Sequence, residues 1–197
     1  MSAADRPVPA DARHFDAKFR EDADPWDYRS SAYEQEKRAR TVEACGPDGL
    51  GAVLELGAAT GVLSAELAPR CARLTTIDFS PTAVAIARER LSGSAHVKIL
   101  EGSVPDDLPA DGRYDVVVAS EILYYLPDAA FDRALRLLPE LLTDGGRLVA
   151  VHWTGRADDL ARSAAATHDA LRSTGLRAVP LPAADHERGY LLDAFER

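Results

Sequence analysis

The stretch Val53-Leu54-Glu55-Leu56-Gly57-Ala58-Ala59-Thr60-Gly61 restricts the fold of this chain more than any other. A short apolar run closes on an acid, then turns through small residues into the helical pattern Val62–Ala68. Such a run reads as a strand buried on both sides in a parallel sheet. Gly57 and Gly61 let backbone and ligand approach closely, because glycine lacks a side chain and tolerates unusual dihedrals. The first free N–H groups of the following helix point back at whatever occupies the turn.

A second acid follows at a useful distance. Arg73–Ile77 reads as the next strand, with Asp78 at its carboxyl end. In a right-handed strand–helix–strand unit the two strand ends are neighbours, at the crevice where open α/β sheets bind ligands. A carboxylate there accepts two hydrogen bonds from a ribose diol, worth roughly 1.5–3 kcal/mol each when charge-assisted. Turn plus acid fits both nicotinamide dinucleotides and S-adenosylmethionine. Dinucleotide sites usually need glycine in the middle of the turn to admit a pyrophosphate. Here the middle is Ala58-Ala59-Thr60, and Glu55 precedes the first glycine. That carboxylate would repel a pyrophosphate and suits a ligand carrying an ammonium and a sulfonium.

At 197 residues the chain is one domain of ordinary size, large enough for a two-sided α/β core. Its net charge of −9 argues against a nucleic-acid partner. No apolar run reaches membrane-spanning length and Met1–Ala10 has no signal-like apolar core, so the expected compartment is the cytoplasm, with no membrane partner. Cys45 and Cys71 read as two reduced thiols, and neither they nor His14, His96, His168 and His186 show metal-ligand spacing. No metal is expected.

In chain order, Met1–Asp11 reads as a polar tail and His14–Glu21 as a helix with Phe15 and Phe19 on one face. Asp24–Tyr28 is an aromatic-rich turn. Ser31 reads as the N-cap of a helix Ala32–Ala44, with Glu34 as its reciprocal capping-box partner. Ala52–Leu56, Arg73–Ile77, His96–Leu100, Tyr114–Ala119 and Arg147–His152 read as five strands. Between them lie helices Val62–Ala68, Pro81–Leu91 behind the cap Ser80, and Asp128–Leu142, interrupted or bent near Pro139. Asp144-Gly145-Gly146 is a turn. Asp158–Ser173 reads as one Ala-rich helix, and Leu176–Pro180 with Arg188–Phe195 as a final strand pair. Alternating strands and helices imply a mostly parallel sheet covered by helices on both faces.

These features, in this order, resemble the class I S-adenosylmethionine-dependent methyltransferases. The matching residues are Leu54–Gly57 through Gly61, Ile77-Asp78-Phe79-Ser80, Tyr114–Val118 before Ser120-Glu121, and the Gly145-Gly146 turn. Asp24-Pro25-Trp26, Ser31-Ala32-Tyr33-Glu34, Lys37 and Leu123-Tyr124-Tyr125-Leu126 further resemble the NodS-like group, named for a nodulation N-methyltransferase that methylates an amine on a chito-oligosaccharide. The resemblance implies a Rossmann-like seven-stranded sheet with an antiparallel C-terminal strand pair. It implies a tail and lid over residues 1–30, and one methyltransferase domain over 31–197.

It also implies roles. Glu55 and Gly57 would face the methionine end of the donor, and Ala58 and Gly61 would belong to the same donor site. Asp78 would bind its ribose, and Phe79 would lie on adenine with Ser103, or the Val104 backbone, at the adenine amine. Trp26 and Tyr33 would belong to the lid, and Ser120 to the donor side. Glu121, Tyr124 and His152 are the candidates on the acceptor side, Glu121 or His152 taking a proton from an amine. The expected function is methylation of an amine on a small sugar-like molecule, leaving S-adenosylhomocysteine, by a monomer or homodimer. O-methylation of a similar metabolite, a nicotinamide-dependent oxidoreductase, and a non-catalytic donor-binding domain stand as alternatives.

Overall fold

Seven strands carry the fold of this computed structural model, which describes residues 12–109, 112–181 and 189–197. They are β1 (Leu50–Leu56), β2 (Cys71–Asp78), β3 (Val97–Glu101), β4 (Tyr114–Ser120), β5 (Leu142–Trp153), β6 (Arg177–Val179) and β7 (Tyr190–Glu196). They form one sheet in the order β3-β2-β1-β4-β5-β7-β6. The first five are mutually parallel, and β7 runs antiparallel to both its neighbours. This is the sheet expected from the sequence. The Met1–Asp11 tail, His186 and Arg188 lie outside the described residues.

The helices are α1 (Ala12–Glu21), α2 (Ala32–Ala44), α3 (Val62–Leu67), α4 (Pro81–Arg90), α5 (Asp128–Leu141) and α6 (Ala164–Arg172). Strand alternation splits the core in two. Leu54, Val117, Leu148 and Ala150 pack with α5 and α6 residues such as Leu138 and Leu171. Val53, Val116, Val118 and Val149 pack on the other face with α2 and α3, through Val42 and Leu67. The strand order reverses between β1 and β4, so the carboxyl ends of β1, β2 and β4 open on one crevice.

Local differences from the sequence reading have physical causes. Ser31 does cap α2, accepting the Glu34 N–H at 3.4 Å, but the Glu34 carboxylate turns away to Lys37 at 2.8 Å. The Ser31 N–H that it would have taken goes to the Asp27 carbonyl at 2.9 Å. Helical structure runs past Pro139 to Leu141 rather than breaking there. The helix expected from Asp158 begins only at Ala164, capped by the Ser163 hydroxyl. Residues before it are held off the helical path by the Tyr124 carbonyl, which accepts the Ala161 and Arg162 N–H groups. The 3-10 turn Leu123–Tyr125 follows β4.

Candidate ligand-binding and active site

Gly57, first residue past β1, has φ +74°, and a Cβ on it would sit 3.0 Å from the Ile122 side chain. Its N–H and that of Ala58 both donate to the Ile77 carbonyl, at 2.9 and 3.1 Å, which ties the turn to the end of β2. Ala59 adopts φ 46°, a region that non-glycine residues enter at some cost. Its N–H donates to one oxygen of Asp78 at 2.8 Å, while the other accepts the Ser80 N–H at 2.9 Å. Burial raises the Asp78 pKa, and those backbone donors only partly offset it. Each carboxylate oxygen still has a lone pair for a ligand.

Above this acid lies a cavity of about 300 Å³ at the strand-order reversal. Its floor is Gly57, Ala59, Asp78, Phe79, Ser103, Val104, Ser120 and Glu121. Its roof is aromatic: Phe15 and Phe19 from α1, then Trp26 and Tyr28. The Phe15 ring stands edge-on to Phe79 at 5.8 Å and to Tyr125 at 4.9 Å. Burial of Phe15 and Phe19 holds α1 in place, at roughly 1.5–3 kcal/mol per side chain. Asp16 adds an anchor, accepting the Ser80 hydroxyl at 2.8 Å and the Thr82 N–H at 3.1 Å. Among the described residues the charged side chains lining the cavity are Asp78, Asp106 and Glu121, all acids.

A smaller recess of about 40 Å³ adjoins it, lined by Glu55, Ala58, Thr60 and Lys37 among others. Glu55 is 1% exposed and accepts the Thr76 hydroxyl at 2.9 Å, and that of Ser64. Burial pushes its pKa up to about 7 against those two hydrogen bonds, with the Asp78 charge adding to the rise. The Thr60 hydroxyl is buried without a hydrogen-bond partner among the described residues.

On the far side, Glu121 stands at φ 54° just past β4. Its carboxylate accepts the Lys37 ammonium at 2.7 Å, the Trp153 N–H at 3.0 Å and the Tyr124 hydroxyl. Lys37 also holds Glu34. Burial would lower the Lys37 pKa, but the two carboxylates outweigh it and raise it. The Tyr124 pKa is raised by burial and by Glu121.

Four sequence candidates lie apart from the cavity. His152 is fully buried and does not line it. Its Nε2 accepts the Leu123 N–H at 3.2 Å, so it is not placed to take a proton from a ligand there. Gly61 faces α4 instead, where a Cβ would lie 3.1 Å from Ala87. Tyr33 gives its hydroxyl to the Gly189 carbonyl at 3.1 Å and is not among the lining residues. Tyr124 is likewise behind the wall, with Tyr125 in front. The sequence reading missed Tyr28, Asp106 and Ile122 on the lining. It also gave no site role to Phe15 and Phe19, although their four-residue spacing marked one helix face.

Comparison with known proteins places this geometry in context. The family model described as nodulation protein S (NodS) matches residues 9–165. Nodulation protein S of Sinorhizobium fredii is 35% identical over 128 residues, covering 64% of this chain and 59% of the relative. That of Rhizobium tropici is 35% identical over 130 residues, covering 64% and 53%. The matched region thus spans less than two thirds of these curated relatives. The crystal structure of N-methyltransferase NodS from Bradyrhizobium japonicum WM9, in complex with S-adenosyl-L-homocysteine, superposes with a TM-score of 0.81 at 24% identity. That superposition covers 95% of this chain and 98% of the other, and shows a shared fold.

Proposed function

This chain belongs to the nodulation protein S family, and from that premise we propose that it is an S-adenosylmethionine-dependent methyltransferase acting on a small-molecule amine, most plainly one on a sugar-like molecule. The observation that carries the reading is the charge of the cavity. Among the described residues its charged lining is wholly acidic, beneath an aromatic roof, with Asp78 at the end of β2. Glu121 is matched by Lys37 and Asp106 by Arg133, so Asp78 and the aromatic roof carry the preference for a sulfonium or an ammonium over a pyrophosphate.

The residues present fit the donor. The cavity of about 300 Å³ falls at the low end of the usual range for small-molecule sites. Asp78 would take the ribose hydroxyls, and Phe79 with the Ser103–Val104 segment the adenine, all of them lining the cavity. The adjoining recess, with the Glu55 carboxyl and the unpartnered Thr60 hydroxyl, suits the polar methionine end. Bound there, the donor would supply an electrophilic methyl group whose leaving group needs no further activation.

The chain's own task is then alignment and exclusion of water. Residues 1–30 serve as tail and lid over a domain of residues 31–197, with Phe15, Phe19 and Trp26 as the apolar cover. The acceptor enters opposite Asp78, along Glu121, Tyr125 and Leu126. An amine must be neutral to attack. Glu121, already holding an ammonium, a phenol and an amide, orients the amine by accepting one N–H rather than acting as a strong base. The amine sheds its proton to bulk water before it enters the closed site.

Calorimetric titration with S-adenosylhomocysteine, with NAD in parallel, tests the reading. Saturable micromolar binding of the first alone is expected. Binding of NAD, or of neither, would remove it. Among the described residues no helix is long and apolar enough to cross a membrane.

A further inference from the structure

His152 was a candidate for proton transfer, yet the structure gives its ring a different set of partners. The side chain is fully buried at the end of β5. Its Nε2 lies 3.2 Å from the Leu123 nitrogen, whose N–H donates to it. A backbone N–H can only donate, so Nε2 carries the lone pair and Nδ1 carries the hydrogen. That Nδ1 lies 3.0 Å from Nε2 of His168, a residue of α6 that is also fully buried. His168 Nε2 must therefore accept, and its Nδ1 bears the hydrogen. Nδ1 in turn lies 2.9 Å from a carboxylate oxygen of Asp193 on β7. Every donor along the chain meets an acceptor, and the order of the hydrogens is fixed from both ends.

We propose that His152, His168 and Asp193 form a positioning relay that holds the acceptor-side turn Leu123–Tyr125 in place. The inference rests on the methyl-transfer reading above for what the turn serves, though the relay itself is defined by geometry alone. The turn is where the relay's effect would be felt. Its Tyr124 ring packs edge-on to His152 at 4.9 Å, and its hydroxyl reaches Glu121. The next residue, Tyr125, lines the cavity. Asp193 selects the His168 tautomer, His168 selects that of His152, and His152 then offers a lone pair to Leu123. The same logic governs histidine ligands at metal sites, where an outer hydrogen bond fixes which nitrogen is free.

Protonation of His152 would undo the contact, since both ring nitrogens would then be donors and Nε2 would face an N–H. The groups around it resist that. His168 already donates away from it, and Lys37 on α2 places a positive charge nearby. Tyr124 presents its ring, and the Asp193 carboxylate is shared between His168 and Arg172. Burial, then His168, then Lys37 hold the His152 pKa well below its ordinary value.

The test uses the full chain. In the wild type, ¹⁵N spectra of histidine-labelled protein should show Nδ1 of both rings bearing a hydrogen at pH 7, with the His152 ring neutral there and still neutral at pH 5.5. An Nε2–H tautomer at His152 overturns the relay. His168→Leu should speed hydrogen exchange at the Leu123 amide at least tenfold, with S-adenosylhomocysteine affinity within twofold of wild type. His168→Gln, whose carbonyl accepts and whose amide donates in the same order, should recover most of that protection. Equal exchange in wild type and His168→Leu, or equal loss in the leucine and glutamine variants, overturns the proposal. If the leucine variant fails to fold, the wild-type tautomers decide. If the wild type does not bind S-adenosylhomocysteine, the methyl-transfer reading fails while the tautomer and exchange results still judge the relay.

Discussion

Two turns at strand ends face each other across the crevice, and each holds a non-glycine residue at positive φ. After β1 it is Ala59 at 46°, and after β4 it is Glu121 at 54°. Left-handed backbone costs an L-residue roughly 1–2 kcal/mol. At Ala59 the methyl group does nothing to repay this; the backbone N–H does, by donating to Asp78. At Glu121 the side chain itself holds the conformation, through Lys37 from α2, Tyr124 from the next turn and Trp153 from β5. The donor side is thus shaped by backbone, and the acceptor side by side chains brought from elsewhere in the chain.

That contrast is broken most forcefully at Lys37. The Lys37→Met variant leaves Glu34 and Glu121 facing each other with little water to separate them; the three side chains are 5%, 12% and 11% exposed. Removing one partner of a buried pair costs about 3–5 kcal/mol. Urea denaturation should show a loss in that range, with the exchange protection of residues 121–125 falling most. An unchanged midpoint would mean that the acceptor turn is held by packing and not by charge.

Asp78→Ala comes next. Two charge-assisted hydrogen bonds to a ribose diol, at about 1.5 kcal/mol each, correspond to roughly 100-fold in affinity. Calorimetry with S-adenosylhomocysteine should show that loss, with the core intact by circular dichroism. The Ala59 and Ser80 N–H groups lose their acceptor as well, so part of the effect passes through the turn. An affinity unchanged within threefold would take Asp78 out of the ribose site.

The same contrast explains what could be read from the sequence. The β1 turn and Asp78 are legible because the chemistry sits at strand ends, and the crossover rule makes those ends neighbours. The parallel strands at the centre of the sheet are legible because each carries its own apolar run, whereas β6 is only Arg177–Val179, and the antiparallel ending of the sheet is implied by the family resemblance. Glu121 is 84 positions from Lys37, and nothing local to either residue announces the pair. His152 is an instructive case. Strand alternation puts it on the side of Leu148 and Ala150, the face covered by α5 and α6. Read that way, the sequence places it under that layer, beneath the Leu123–Tyr125 turn and not in the cavity. The partners His168 and Asp193 lie 16 and 41 positions further on, and only the packing of α6 and β7 brings them in.

Glu55 gives a pH-dependent prediction on the donor side. Burial raises its folded pKa to about 7 from an ordinary value of 4.5. The folded state therefore holds a proton that the unfolded state releases, and the neutral carboxyl contributes stability that is complete below about 4.5 and lost as pH rises through about 7. The slope for one group is at most about 1.4 kcal/mol per pH unit. Glu55→Gln, neutral throughout, should lack that loss, so urea midpoints at pH 5.5 and pH 8 should converge in the variant and diverge in the wild type. Parallel behaviour would mean that the carboxyl is solvated well enough to ionise normally.

The smallest effect is the sharpest on the original contrast. Ala59→Gly removes the cost of the left-handed conformation, while glycine adds roughly 0.5–1 kcal/mol of unfolded-state entropy to overcome. The balance is a stabilisation of about 0.5 kcal/mol. Because the Asp78 contact comes from the backbone N–H, which glycine keeps, S-adenosylhomocysteine affinity should stay within twofold. A side-chain change at φ 46° would thus be neutral to favourable, whereas removing one contact of the side chain at φ 54° is costly. Should Ala59→Gly instead weaken ligand binding tenfold, the ligand would depend on contact with the methyl group, and the donor side would owe its shape to side chains after all.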